Sequence, residues 1–107
     1  TVVLPVKNSL PGDLSCGTGT IGIRFPDHPL ALALISELDS PITSTSANIS
    51  GEISPVNPGQ VNVPHDYFIE DGSLPGTPST VVNLETRKIE RPGAMLDEVA
   101  EFIRNNK

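Results

Sequence analysis

Two stretches of this sequence carry residue types suited to chemistry without a conventional nucleophile: Arg24-Phe-Pro-Asp-His-Pro29 and Ser44-Thr-Ser-Ala-Asn-Ile-Ser-Gly51. The first sets an arginine near the end of an apolar run; the second sets a dense block of hydroxyls and an amide near the end of the next. A guanidinium offers a planar fork of donors that matches a carboxylate or a phosphate through parallel bonds. Hydroxyls and an amide can hold the remaining oxygens of such groups. Side chains of this kind bind and orient, leaving the bond-making to the substrates. Ser79-Thr80, opening a β-favouring run, and Arg91-Pro92-Gly93, closing another, extend the set. A Ser/Thr-rich loop can also simply cap its own backbone. Ligands of α/β sheets gather beyond strand carboxyl ends, however, and both Arg24 and the Ser44–Gly51 block fall at such ends.

These residues need elements to carry them. Thr1 to Pro5 is β-branched and stops at a proline, which predicts a short strand. Val6 to Gly19, holding Pro11, Gly12, Gly17 and Gly19, predicts a long loop. Thr20 to Phe25 predicts a second strand, stopped by Pro26. Asp27 and His28 precede Pro29, whose missing N–H loses nothing in a first helical turn. Leu30, Ala31, Leu32, Ala33, Leu34, Ile35 and Leu38 then predict a helix apolar nearly all round, buried on most sides against a sheet. Asp39-Ser40-Pro41 breaks it. Ile42 to Thr45 predicts a buried third strand, and Ser46 to Val63 a polar, turn-rich stretch. Tyr67 to Glu70 predicts a strand before a turn at Asp71-Gly72. Ser79 to Leu84 and Lys88 to Glu90 predict two more around a turn at Glu85-Thr86-Arg87. After Pro92-Gly93, Leu96, Val99, Ala100 and Ile103 recur at helical spacing, with Asp97, Glu98, Glu101 and Arg104 on the other side, predicting a helix from Leu96 to Arg104. Strands alternating with helices make the fold class α/β, a twisted mixed β-sheet with packed helices in one domain.

Composition limits the function. At 107 residues the chain can bury one modest core, and with 36% apolar and 4% aromatic residues that core rests on Leu, Ile, Val and Ala. A net charge of -6 argues against a surface that coats nucleic-acid phosphates. A single cysteine, Cys16, excludes an internal disulfide framework. No apolar run is long enough to span a bilayer and no basic-then-apolar leader is present, so a cytoplasmic protein is expected. The chain opens on Thr1-Val-Val-Leu4, an apparent strand, and its one methionine is Met95; a piece of a longer polypeptide is expected.

Several motifs dissolve on inspection. Gly17-Thr-Gly-Thr-Ile-Gly22 matches a dinucleotide fingerprint, but that motif must follow a strand and open a helix. Here the glycines follow a loop and lead into a strand. Asn48-Ile-Ser50 is formally a glycosylation sequon with nothing beside it to suggest secretion. His28, His65 and Cys16 lack metal-ligand spacing, and His28 reads as a helix-start residue. No serine sits in a nucleophile-elbow context.

Four quoted segments, Arg24 to Pro29, Ser44 to Gly51, Ser79-Thr-Val-Val82 and Arg91-Pro-Gly93, stand in the order and approximate spacing found in the YrdC family. The chain resembles that family along nearly its whole length. The resemblance implies an enzyme that joins L-threonine, bicarbonate and ATP into threonylcarbamoyl-AMP and releases pyrophosphate. The product would feed the downstream machinery that makes threonylcarbamoyladenosine in tRNA. It further implies Thr20, Ser46, Asn48, Ser54 and Arg91 on the ATP side and Arg24, Ser44 and Ser79 near the threonine. Neither a catalytic nucleophile nor a protein-held metal belongs to this set; Mg2+ would arrive on the substrate phosphates. Catalysis would consist of positioning and charge neutralisation.

The family's first half, with a Lys/Arg-rich motif that contacts ATP phosphates, has no counterpart here, and Lys7 lies in the wrong segment to replace it. Residues 1–107 are therefore expected to form the C-terminal half of a YrdC-like domain, inactive alone and prone to self-association through open sheet edges. Two other readings stay open: the related domain of hydrogenase-maturation carbamoyltransferases, and a non-catalytic module that binds a nucleotide or RNA. Threonine-dependent pyrophosphate release would separate enzyme from binder.

Overall fold

In the computed structural model, which describes residues 1–107 throughout, the elements run β1 (Val2–Pro5), β2 (Thr20–Ile23), α1 (Pro29–Leu38), β3 (Val81–Asn83), β4 (Lys88–Arg91) and α2 (Leu96–Asn105), with short 3-10 turns at Gly12–Ser15 and Pro58–Gln60. They fall into two units: Thr1–Phe25 with Thr77–Lys107, and Pro26–Gly76.

The first unit is built on a four-stranded mixed sheet in the order β2-β1-β3-β4. β1 and β2 pair antiparallel, from Val2 opposite Ile23 to Pro5 opposite Thr20. The ladder is closed by the Val6 N–H donating to the Gly19 carbonyl at 2.9 Å. β1 pairs parallel with β3, Val2 opposite Val82, and β3 pairs antiparallel with β4. Valines suit such a pleated, half-buried surface. β3 has a neighbour on each side, and it holds the buried residues Val82 and Asn83, with Thr80 just before it. α2 follows the expected pattern: Leu96, Val99, Ala100 and Ile103 are half-buried while Asp97, Glu98, Glu101 and Arg104 are exposed. Asp97 and Glu98 in its first turn and Arg104 in its last complement the helix dipole.

In the second unit, α1 begins where Pro29 predicts. His28 caps it, Nδ1 accepting from the Ala31 N–H at 3.3 Å, and Nε2 lies 3.3 Å from an Asp71 carboxylate oxygen. Asp39 ends the helix in the left-handed region, its N–H donating to the Ile35 and Ser36 carbonyls. Leu30, Val56, Val61, Phe68 and Leu74 line a cavity of about 260 Å³ in this unit.

Three expectations fail here. Ile42–Thr45 and Tyr67–Glu70 form no strands, because a strand needs a neighbouring ladder for its N–H and C=O groups and neither segment has one. Both keep their apolar side chains exposed, Tyr67 at 91%. α1 buries no residue: Leu30, Leu34 and Leu38 remain exposed. The fold class itself stands, a mixed sheet with helices. No helix is long and apolar enough to cross a membrane.

Candidate functional site

The sheet registers decide which residues meet. Because β2 runs antiparallel to β1, β3 parallel to it and β4 antiparallel to β3, one sheet end collects the residue before β1, those after β2, those before β3 and the last residue of β4. These are Thr1, Arg24, Ser79 with Thr80, and Arg91. Thr20 stands at the other end of β2, opposite Pro5, roughly 13 Å from Arg24 at the usual rise per strand residue.

Arg91 is laid across Ser79. Its Nη2 donates to the Ser79 carbonyl at 2.8 Å and to the Ser79 Oγ at 3.3 Å, and its Nε donates to the same carbonyl at 3.3 Å. Ser79 Oγ in turn lies 2.6 Å from Thr1 Oγ1. Val82 faces Ile89 while Val81 faces Arg91, so Glu90 is an extra residue in β4. A bulge of this kind redirects the side chain that follows it. Beyond Arg91, the Ala94 N–H donates to the Pro78 carbonyl at 2.8 Å, and Gly93 runs close against the Pro78–Ser79 backbone.

Neither Arg24 nor Arg91 pairs with a carboxylate; the chain's ion pair, His28 with Asp71, lies in the other unit. Two guanidiniums thus remain uncompensated at one sheet end of an acidic chain. A guanidinium without an acidic partner can receive an anionic group, and the Ser79 hydroxyl stands beside that of Arg91.

The remaining expected residues belong to the second unit. Asn48 and Ser54 come together: Ser54 Oγ donates to Asn48 Oδ1 at 3.4 Å, and Asn48 Nδ2 donates to the Ile49 and Glu52 carbonyls, each at 3.0 Å. Ser44 and Ser46 are exposed, and their hydroxyls make no hydrogen bond within the chain. Residues 44–54 form no helix or strand; Asn48 and Ser54 are hydrogen-bonded to one another, while Ser44 and Ser46 have no side-chain partner within the chain.

Thr80 stands in one of the motifs without an expected role, and Asn83 lies outside the expected site residues. Thr80 is 3% exposed and donates to the Ala94 carbonyl at 2.7 Å. Asn83 Oδ1 accepts from the Glu85 and Thr86 N–H groups, each at 3.0 Å, and its Nδ2 donates to Glu90 at 2.8 Å. A hydroxyl and an amide flanking two valines in a central strand were the available signal, because a buried polar group needs a partner.

Comparison with known proteins finds several relatives of this chain. A threonylcarbamoyl-AMP synthase of Bacillus subtilis is 39% identical, the match taking in 96% of this chain and 32% of that protein. For a threonylcarbamoyl-AMP synthase of Pyrococcus abyssi the figures are 35%, 96% and 33%, and for a putative one of Mycobacterium tuberculosis 35%, 96% and 51%. The chain spans about a third of the length of the first two relatives and half that of the third. No solved structure matches it significantly. The family profile Sua5/YciO/YrdC, described as "Telomere recombination", matches residues 1–93, and with that match over most of its length the chain belongs to the Sua5/YciO/YrdC family.

Proposed function

We propose that this chain is the C-terminal half of a domain that makes threonylcarbamoyl-AMP from L-threonine, bicarbonate and ATP. The observation that carries the reading is the gathering of Arg24, Ser79 and Arg91 at one sheet end with both guanidiniums free of acidic partners. In the proposed reaction the threonine amine attacks the bicarbonate carbon and water leaves, giving a carbamate. A carbamate oxygen then attacks the α-phosphorus of ATP and pyrophosphate departs. Both steps bring anions together, so their barriers fall when fixed cations and hydroxyls are in place beforehand.

Arg24 grips the threonine carboxylate, with Ser79 and Ser44 as further threonine contacts. Arg91 faces phosphate, and Thr20, Ser46, Asn48 and Ser54 complete the nucleotide contacts. Magnesium belongs to this reading as ATP's counter-ion, held by the substrate phosphates. The product would pass to the enzymes that modify tRNA, in the cytoplasm.

Nuclear magnetic resonance titrations of the chain test the reading. ATP is expected to shift Arg91, Ser46 and Asn48, and threonine to shift Arg24 and Ser79. A chain indifferent to both ligands would end it. Threonine-dependent pyrophosphate release by the chain alone, at the rate of a whole synthase, would refute the assignment as one half of a domain.

A further inference from the structure

The Arg91 guanidinium is exposed, yet it rests in one place, and holding a long side chain still costs rotamer entropy that something must offset. Nε and Nη2 are spent on Ser79, which leaves both Nη1 N–H groups for a ligand. For this clasp to form, the turn carrying Arg91 must sit at a fixed height above the strand carrying Ser79. Ser79 and Ala94 form an isolated parallel bridge there, with the Ala94 N–H on the Pro78 carbonyl. The side chain that joins the two segments on the buried side is Thr80, at 3% exposure, through its bond to the Ala94 carbonyl.

We propose that Thr80 is a positioning residue for Arg91: its buried hydroxyl fixes the Arg91–Ala94 turn so that the guanidinium is held on Ser79 with one nitrogen free for phosphate. The same clasp joins the residue proposed for threonine, Ser79, to the one proposed for ATP, Arg91. Placement of one substrate contact therefore sets the other. The value of this to catalysis rests on the nucleotide role proposed above; the clasp itself does not.

The test compares Thr80→Val, which keeps the shape and loses the hydroxyl, with Thr80→Ser, which keeps the hydroxyl. The first readout is the Arg91 Nε–H proton and its exchange with water. A slowly exchanging signal is expected in the unaltered protein and in Thr80→Ser, and its loss in Thr80→Val. A protected signal that survives in Thr80→Val overturns the proposal. Should Thr80→Val fail to fold, the unaltered protein decides: a Thr80 hydroxyl proton and an Arg91 Nε–H that both exchange freely overturn it, and protection of both, retained in Thr80→Ser, supports it. The second readout is ATP affinity. Thr80→Val is expected to weaken ATP by about tenfold, the scale of one charge-assisted hydrogen bond. Combined with Arg91→Ala it should add nothing to the loss from Arg91→Ala alone. Losses that multiply overturn the proposal. If Arg91→Ala leaves ATP affinity unchanged, the nucleotide reading fails, while the Nε–H readout still decides the role of Thr80.

Discussion

Gly93 lies so close beneath the Pro78 carbonyl that a methyl group on its Cα would overlap that oxygen and crowd the Ser79 carbonyl behind it. The clash is with backbone, which cannot swing aside as a flexible side chain could. The glycine of Arg91-Pro92-Gly93 is thus required for close approach, and its absent side chain lets the turn carrying Arg91 lie against the strand carrying Ser79. Gly93→Ala is expected to destabilise by about 1–3 kcal/mol, the usual cost of overpacking. Gly22→Ala, whose added methyl meets only Thr1 Cγ2 at 3.8 Å, should be nearly neutral. Urea melts of the two variants check the contrast, and equal effects would show that the approach at Gly93 is looser than described.

Asn83 offers a second stability test. Alanine there strands the Glu85 and Thr86 N–H groups that close the β3–β4 turn and removes a donor to Glu90. The expected loss is about 1–3 kcal/mol, the cost of unsatisfied polar groups. Arg87, in the same turn, is already in the left-handed region at φ 57. Arg87→Gly should therefore be tolerated, since glycine adopts that conformation without steric cost. Denaturation midpoints distinguish the two.

The two arginines should separate by ligand. Arg24→Lys replaces a planar fork by a point charge and is expected to weaken threonine far more than ATP. Arg91→Ala should do the reverse, by about 1.5–3 kcal/mol for the lost charged hydrogen bonds. Calorimetric titration with each ligand decides, alongside a melting curve to confirm folding. Two variants that bind like the parent would leave the assigned contacts without support.

Association is the remaining expectation. Phe25, Ile53 and Tyr67 are 87%, 93% and 91% exposed, and β2 and β4 each leave one edge of the sheet open. Exposed apolar side chains and unpaired strand edges invite pairing with a second copy. Sedimentation at rising concentration should reveal oligomers, diminished in a Phe25→Lys/Ile53→Lys double variant. A strictly monomeric chain at every concentration would contradict this.

Local chemistry made much of this protein legible in its sequence. Pro29 behind His28 marked the start of α1, Asp39 before Ser40-Pro41 marked its end, and the spacing of Leu96, Val99, Ala100 and Ile103 gave α2 with its half-buried face. The valine pairs gave β1 and β3, and the mixed sheet they predicted is the one present. These features depend on residues within a turn or two of one another. Arg24, Ser79 and Arg91 were named from their types and spacing, but their placement at one sheet end was not readable. It follows from strand order and direction, which bring together positions far apart in the chain. The failed strands at Ile42–Thr45 and Tyr67–Glu70 have the same cause in reverse: apolar, β-favouring composition proposes a strand, and only a neighbouring backbone completes one. Thr80 and Asn83 needed the tertiary structure most. A threonine and an asparagine beside two valines are unremarkable until the fold takes water away from them and supplies Ala94, Glu90 and the β3–β4 turn as partners.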